Sequence, residues 1–344
     1  MQHVYGDKST SVLIIGYFGY GNMGDEVCLL HALRALRCVG IRAYVAYNPA
    51  ADSSALLCEG AIPINRRSPE ALSRATRVCD GVFFLGGNHF ENESSRRSLI
   101  YYSAIALAAR KQNKPVYMLS SGLGKIRKGP DARLAASALR SFSFAGLRTA
   151  EDLDDAAALM RCTTVRMPDL AFLSETVRHR KQGYFAIVPR RDSALLLEDA
   201  CALRAMGLRP VVIPFFAEED MRAARGYGEA LGCEVFFSRE PHEVRKRLAE
   251  AEITLSERLH GAILSQLSST PFILRKESLK CRRFTDEVGR VAASLGTRSP
   301  SLSGVFELGD FKARGGCDFD RINSVFARSL GRALGQAMSD FLRQ

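Results

Sequence analysis

A chain of 344 residues is longer than one ordinary core organises, so two domains of roughly 150–180 residues each is the natural division. Its composition, 47% hydrophobic and 25% charged, excludes disordered and fibrous classes. The net charge of +11 is spread evenly, with 21 Lys+Arg against 15 Asp+Glu in residues 1–174 and 27 against 22 in the rest. Without a long basic tract carrying interleaved aromatics, nucleic acid is not the expected partner. Arg-rich sites for small anions, or contact with an anionic membrane face, fit better.

In chain order, a polar start leads to an apolar run at 12–15, too short for a signal or a membrane span and read as a buried strand. A Gly-rich turn and a helix over 25–38 follow. Further strands are expected at 41–47, 82–85, 116–120, 142–147 and 163–165, with helices over 95–112 and 131–141. The polar stretch 175–183 reads as a linker. The alternation then restarts, with strands at 185–188, 210–213, 234–237, 252–255 and 271–274. Helices are expected over 195–206, 219–231, 242–251 and 259–267, a loop over 297–317, and a last helix over 320–342. Strand–helix alternation predicts parallel sheets. The expected domains are therefore 1–174 and 184–344, two Rossmann-like units facing across a cleft that holds the chemistry.

Nine cysteines show no CxxC pair and no Cys/His metal spacing. No metal is expected, and a reducing cytoplasm is the expected setting.

Five segments concentrate polar chemistry at predicted strand ends. In the first, Gly19, Gly21 and Gly24 follow a strand and open a helix, with Asn22 between them and Asp25 and Glu26 behind. Such glycines let backbone N–H groups approach an anion. Asp25 either complements the helix dipole or acts on a substrate hydroxyl. In the second, Gly86-Gly87-Asn88-His89 ends a strand, as a tight turn or as a ligand loop. In the third, Arg148 ends a strand, either to fork onto an anion or to pair with Glu151 or Asp152. The fourth is Ser256-Glu257-Arg258-Leu259-His260-Gly261, where a strand hands over to a helix. An anion there meets backbone donors, a guanidinium and an imidazole together, and imidazole titrates near working pH, which makes His260 the candidate general acid. The fifth is a basic loop over 274–284 containing Lys280.

Together, segments 16–30, 85–92, 114–124, 147–152, 167–172, 213–220, 256–260 and 270–289 resemble, in order, the polysaccharide pyruvyl transferase family. This group includes bacterial cell-wall pyruvyl transferases acting on lipid-linked sugars. The chain departs from the family pattern at Gly86-Gly87-Asn88-His89 and at Arg148-Thr149-Ala150-Glu151. The resemblance implies a GT-B-like pair of Rossmann-like domains with no metal or organic cofactor. Phosphoenolpyruvate is the implied donor, and a sugar or lipid-linked glycan the implied acceptor. It casts Arg258, Arg148, Lys280, Leu259 and Ser256 as donor-binding, His260 and Asp25 as catalytic, and Gly21, Asn22, Asn88 and His89 as acceptor-binding. A lipid-linked acceptor would bring the protein peripherally to the inner membrane face. Two other functions suit the same architecture: a nucleotide-sugar-dependent glycosyltransferase and a non-catalytic binder of anionic glycans. Oligomeric state is not readable from the sequence.

Overall fold

The computed structural model describes residues 10–91, 95–124, 126, 129–191, 193–275, 278–313 and 315–344. The polar N-terminal start, Asn92, the basic residues at 125, 127 and 128, and Lys276-Glu277 of the expected basic loop lie outside the described residues.

The first sheet is built by β1 (Ser11–Phe18), α1 (Met23–Cys38), β2 (Arg42–Tyr47), α2 (Ser54–Cys58), β3 (Ile62–Asn65), α3 (Pro69–Val78) and β4 (Gly81–Leu85). It continues through α4 (Arg96–Lys111), β5 (Val116–Ser121), α5 (Pro130–Leu139), β6 (Phe144–Leu147), α6 (Ala150–Leu159) and β7 (Thr163–Arg166). The seven strands are parallel in the order β3-β2-β1-β4-β5-β6-β7. Order reverses between β1 and β4, so their carboxyl ends flank the crevice where such sheets take ligands. The central strands are buried throughout, which explains their unbroken apolar runs. Alternate residues serve opposite faces: Leu13, Ile15, Val82 and Phe84 join Leu99, Ile105 and Ala109 of α4 in one core. On the other face Phe83 and Tyr117 pack edge-on to Phe341, with centroids 5.0 and 5.6 Å away.

The second sheet is built by β8 (Tyr184–Val188), α7 (Ala194–Ala205), β9 (Arg209–Val212), α8 (Ala217–Leu231), β10 (Glu234–Val235), α9 (Pro241–Glu250) and β11 (Thr254–Ser256). After it come α10 (Leu259–Leu267), β12 (Phe272–Leu274), α11 (Leu279–Ser294), α12 (Glu307–Ala313) and α13 (Phe319–Phe341). The parallel order β10-β9-β8-β11-β12 reverses between β8 and β11. Its core joins Phe185, Ile187 and Leu255 of the strands to Leu196, Leu203 and Ala224 of the helices. Each large apolar side chain so buried contributes about 1.5–3 kcal/mol.

Several expectations are corrected. The strand β3 and the helices α2 and α3 replace an unassigned stretch. The expected loop over 297–317 contains α12, and the expected basic loop becomes the start of α11. The division also differs from 1–174 and 184–344. One unit takes the chain to Tyr20, Cys28–Leu170 and Arg332–Gln344; the other takes Gly21–Val27 and Ala171–Gly331. Two short segments thus change sides. Gly21–Val27 is held by β9's exit, where Met23 N–H donates to Phe215 O at 2.9 Å. The last turns of α13 serve the first sheet, with Tyr117 Oη donating to Asp340 at 2.5 Å. Nor is 175–183 a free tether. Val177 N–H donates to Leu267 O, and Lys181 Nζ donates to Ala249 O and Thr270 Oγ1 at 2.9 and 2.7 Å. Burial there lowers the Lys181 ammonium to about 8. Among the described residues, no helix is long and apolar enough to cross a membrane.

Candidate functional site

The second unit brings three chain segments together at its switch point: Asn22 to Asp25, the exit of β9, and the turn from β11 into α10. Ser256 shapes that turn, accepting from Arg258 N–H at 3.1 Å and donating to Arg258 O at 2.8 Å. Ser256, expected to bind the donor, is fully buried and its hydroxyl is engaged in this turn. Glu257, also buried, accepts from the N–H groups of Arg190 and Arg191 at 2.9 and 3.2 Å and ties β8's exit to β11's. Gly261 is pressed against this turn: a Cβ there would lie 2.3 Å from Ser256 Oγ and 3.0 Å from Val188. The first turn of α10 can therefore sit close on the strands, with Leu259 buried beneath it.

Arg258 was expected to help hold an anion. Instead its Nε donates to both Asp220 oxygens at 3.1 Å, and Nη2 donates to Asp220 and, at 2.9 Å, to Glu219. Asp220 is fully buried and also accepts from Phe215 and Phe216 N–H at 3.2 and 2.9 Å. Burial raises the carboxyl's pKa, against the pull of Arg258 and the two amides. The arrangement makes Arg258 a strut between α8 and α10. A bidentate pair of this kind fixes direction as well as distance.

That strut bears on His260. The exit of β9 bridges to Asn22, and the half-buried His260 ring packs directly on the Cα of Gly24. A Cβ on Gly24 would lie 1.9 Å from His260 Nδ1 and 2.6 Å from its Cβ, so only glycine permits the approach. Asp25 is next in sequence, its Oδ2 accepting from Asn22 Nδ2 at 2.7 Å. The two residues expected to be catalytic are thus neighbours in one unit. Gly21 and Asn22, expected on the acceptor side, belong to that unit too. Lys280 stands exposed on the first turn of α11.

The first unit's switch point is closely packed. Gly86 and Gly87 both take positive φ, +62° and +59°, which fold β4's exit back over β5's. Gly87 O accepts from Gly122 N–H at 3.0 Å, and Ser121 Oγ donates to Gly86 O at 2.7 Å. The side chain of Asn88 lies against Gly122, where a Cβ would meet its Oδ1 at 2.5 Å. His89, expected to meet the acceptor, is buried in an aromatic cage, 4.5 Å from the Tyr102 ring centroid and 5.7 Å from Phe84. Burial, with Arg148 and Arg66 nearby, lowers its pKa to about 3, so the ring is neutral. It is a packing residue in this structure. Arg148 also differs from expectation. Its Nη2 lies 3.1 Å from Asp169 and its Nε donates to Ser120 O at 2.8 Å. Neither Glu151 nor Asp152 is that partner; Asp152 instead accepts from Thr149 Oγ1, the N-cap of α6, at 2.8 Å and from Leu123 N–H at 3.0 Å.

Asp220, Glu219, Glu257 and Asp169 were not foreseen as site residues. Asp169 and Asp220 lie within quoted segments of the resemblance, but nothing local marks an Asp as the partner of a distant Arg.

The architecture is that of the two-unit, Rossmann-like GT-B class. Solved structures of low identity share it. A UDP-GlcNAc 2-epimerase from Neisseria meningitidis, bound to UDP-GlcNAc, aligns over 97% of this chain and 100% of its own, with 10% identity and a TM-score of 0.58. A putative UDP-N-acetylglucosamine 2-epimerase from Listeria monocytogenes aligns over 98% of both chains, with 12% identity and a TM-score of 0.61. Anabaena Alr3699/HepE, in complex with UDP and glucose, aligns over 94% of this chain and 100% of its own, with 11% identity and a TM-score of 0.53. No curated protein matches in sequence. The family is settled by a different comparison: the model of the polysaccharide pyruvyl transferase family matches residues 22–275. The chain belongs to that transferase family.

Proposed function

We propose that this transferase moves the pyruvyl group of phosphoenolpyruvate onto hydroxyls of a sugar or lipid-linked glycan precursor, with release of phosphate. The observation that carries the reading is His260, seated on Gly24 beside Asp25 at the N-terminus of α10. Phosphoenolpyruvate presents a carboxylate and a phosphate, which suit the N–H groups opening α10 and the Lys280 ammonium. Arg258, engaged by Asp220 and Glu219, holds this turn in place rather than supplying an uncommitted charge. His260 delivers a proton to the methylene carbon, and C2 becomes an oxocarbenium-like centre. A sugar hydroxyl forms a C–O bond to C2 and loses its proton to Asp25. The C2–O bond to phosphate then breaks, and a second hydroxyl attacks C2 to close the ketal, its proton leaving with phosphate. No organic cofactor enters this scheme. A lipid carrier on the acceptor would bring the protein peripherally to a membrane face.

The test is phosphate release from phosphoenolpyruvate with candidate sugar acceptors, on wild type and His260→Gln. Loss of general acid catalysis is expected to slow turnover by roughly 10²–10⁴-fold. Unchanged turnover in His260→Gln sinks the assignment. A second reading, nucleotide-sugar-dependent glycosyl transfer, is favoured by neighbours solved with UDP-GlcNAc or with UDP and glucose. It predicts a rise in melting temperature with UDP and none with phosphoenolpyruvate; the pyruvyl reading predicts the reverse.

A further inference from the structure

Arg66 follows β3, and its N–H donates to Tyr47 O at 3.1 Å, which places it at the carboxyl edge of the first sheet. It is only 8% exposed. Its guanidinium carbon lies 5.1 Å from the ring centroids of Tyr20 and Tyr101 and 5.5 Å from that of Tyr17. Tyr17 and Tyr20 are stacked, 4.2 Å apart and 8° from parallel. The loop that carries Tyr20 is locked in place: Asn48 Nδ2 donates to Gly19 O at 3.0 Å, and Gly19, at φ +78°, lies so close to Tyr47 that a Cβ would sit 2.9 Å from the ring. The cluster is therefore built from β1 and its exit, the exit of β3 and the helix α4, not by a chance surface contact.

Its charge is the anomaly. Arg148 has Asp169, Arg258 has Asp220 and Arg275 has Asp199. Arg66 is buried yet has no carboxylate partner among the described residues, and its Nη1 has no hydrogen-bond partner. Ring faces offset part of the cost of burying a guanidinium, but an oxyanion offsets more. The field is felt nearby, since Arg66 is one of the two charges that lower His89. Tyr17 remains 39% exposed, offering an aromatic surface beside the charge. A ligand that satisfies both features has an apolar ring face and an anionic substituent.

We propose that Arg66, Tyr17, Tyr20 and Tyr101 form a binding subsite for an anionic saccharide, a sugar ring carrying a carboxylate or a phosphate. The tyrosines take the C–H face of the ring, and Arg66 takes the oxyanion. The choice of a sugar over another ring rests on the acceptor class in the function proposed above. The test needs no donor, so it can fail or succeed apart from pyruvyl transfer.

Ligand-observed NMR titrations would compare methyl glucuronide, glucose 1-phosphate, neutral methyl glucoside and uridine. Tyrosine fluorescence gives a second readout, free of interference because the chain has no Trp. One or both anionic sugars are expected to bind at least about tenfold more tightly than the neutral one, the preferred arm identifying carboxylate or phosphate. Arg66→Met should abolish that preference, Arg66→Lys should restore part of it, and Tyr17→Ala should weaken every sugar. Tyr17 is surface-exposed, so its variant keeps the test valid if Arg66→Met does not fold. Equal binding of neutral and anionic sugars, tighter binding of uridine, no binding of either anionic probe, or variants that bind as wild type would each overturn the proposal.

Discussion

At the switch point of the second sheet, Arg258 is matched by Asp220 and Glu219 and stiffens the turn that presents His260. At the carboxyl edge of the first, Arg148 meets Asp169, while Arg66 lies among tyrosine rings with no carboxylate partner among the described residues. Two carboxyl edges of the same topology thus use arginine oppositely. A saturated arginine is a structural strut that orients a neighbouring reactive group. An unsaturated one holds a standing demand for an anion. The difference shows why counting arginines in a motif does not reveal an anion site; the carboxylates within reach decide it.

The comparison can be broken from either side. The largest expected effect is on acid stability. His89 falls from 6.5 unfolded to about 3 folded, so its contribution is complete above pH 6.5 and is lost as pH falls towards 3. The full loss is about 5 kcal/mol by linkage. His89→Phe, which keeps an aromatic ring in the cage, should flatten the urea-midpoint profile between those pH values. A profile as steep as wild type would mean that another group carries the acid sensitivity. Next is Asp220→Asn, which leaves Arg258 with only the half-exposed Glu219 as a carboxylate partner and should destabilise by about 3 kcal/mol in urea unfolding. Adding Arg258→Met should recover much of that; a cost below about 1 kcal/mol would show that the strut is dispensable.

Smaller still is Gly24→Ala. The added methyl displaces His260, and turnover should fall about 100-fold while the melting temperature moves little. Retained turnover would show that the close approach is not needed. The smallest is Gly122→Ala, where the added methyl meets only the amide end of Asn88, which can turn away. A cost of no more than about 1 kcal/mol in urea unfolding is expected. A larger cost would show that the first edge is as tightly specified as the second.

Much of the fold was readable in the chain because buried parallel strands write themselves as short apolar runs, as at 12–15 and 82–85. The strand β3 was not readable because its sequence, Ile-Pro-Ile-Asn, is short, only partly buried and contains proline. The transfers of Gly21–Val27 and of the last turns of α13 to the opposite unit were not readable. A helical period marks an apolar face but not the sheet that covers it. At the site, the segment Ser256-Glu257-Arg258-Leu259-His260-Gly261 was recognised as a strand-to-helix turn, and Asp25 and His260 were singled out together. The ion-pair partners of Arg258 and Arg148 were not readable, since each lies far away in sequence, and the burial of His89 among Phe84, Phe90 and Tyr102 shows only in the fold.

By itself, then, the sequence determined the elements, the parallel α/β class and the residues gathered at strand ends, because these follow from local periodicity and turn chemistry. Tertiary structure alone decided which charges are already matched. Asp220 is 38 residues from Arg258, Asp169 is 21 from Arg148, and Arg66 meets rings from β1, its exit and α4. Only folding shows that the first two arginines are neutralised and that the third has no carboxylate partner among the described residues. An ion pair depends on a few ångströms in space, and no spacing along the chain encodes that distance.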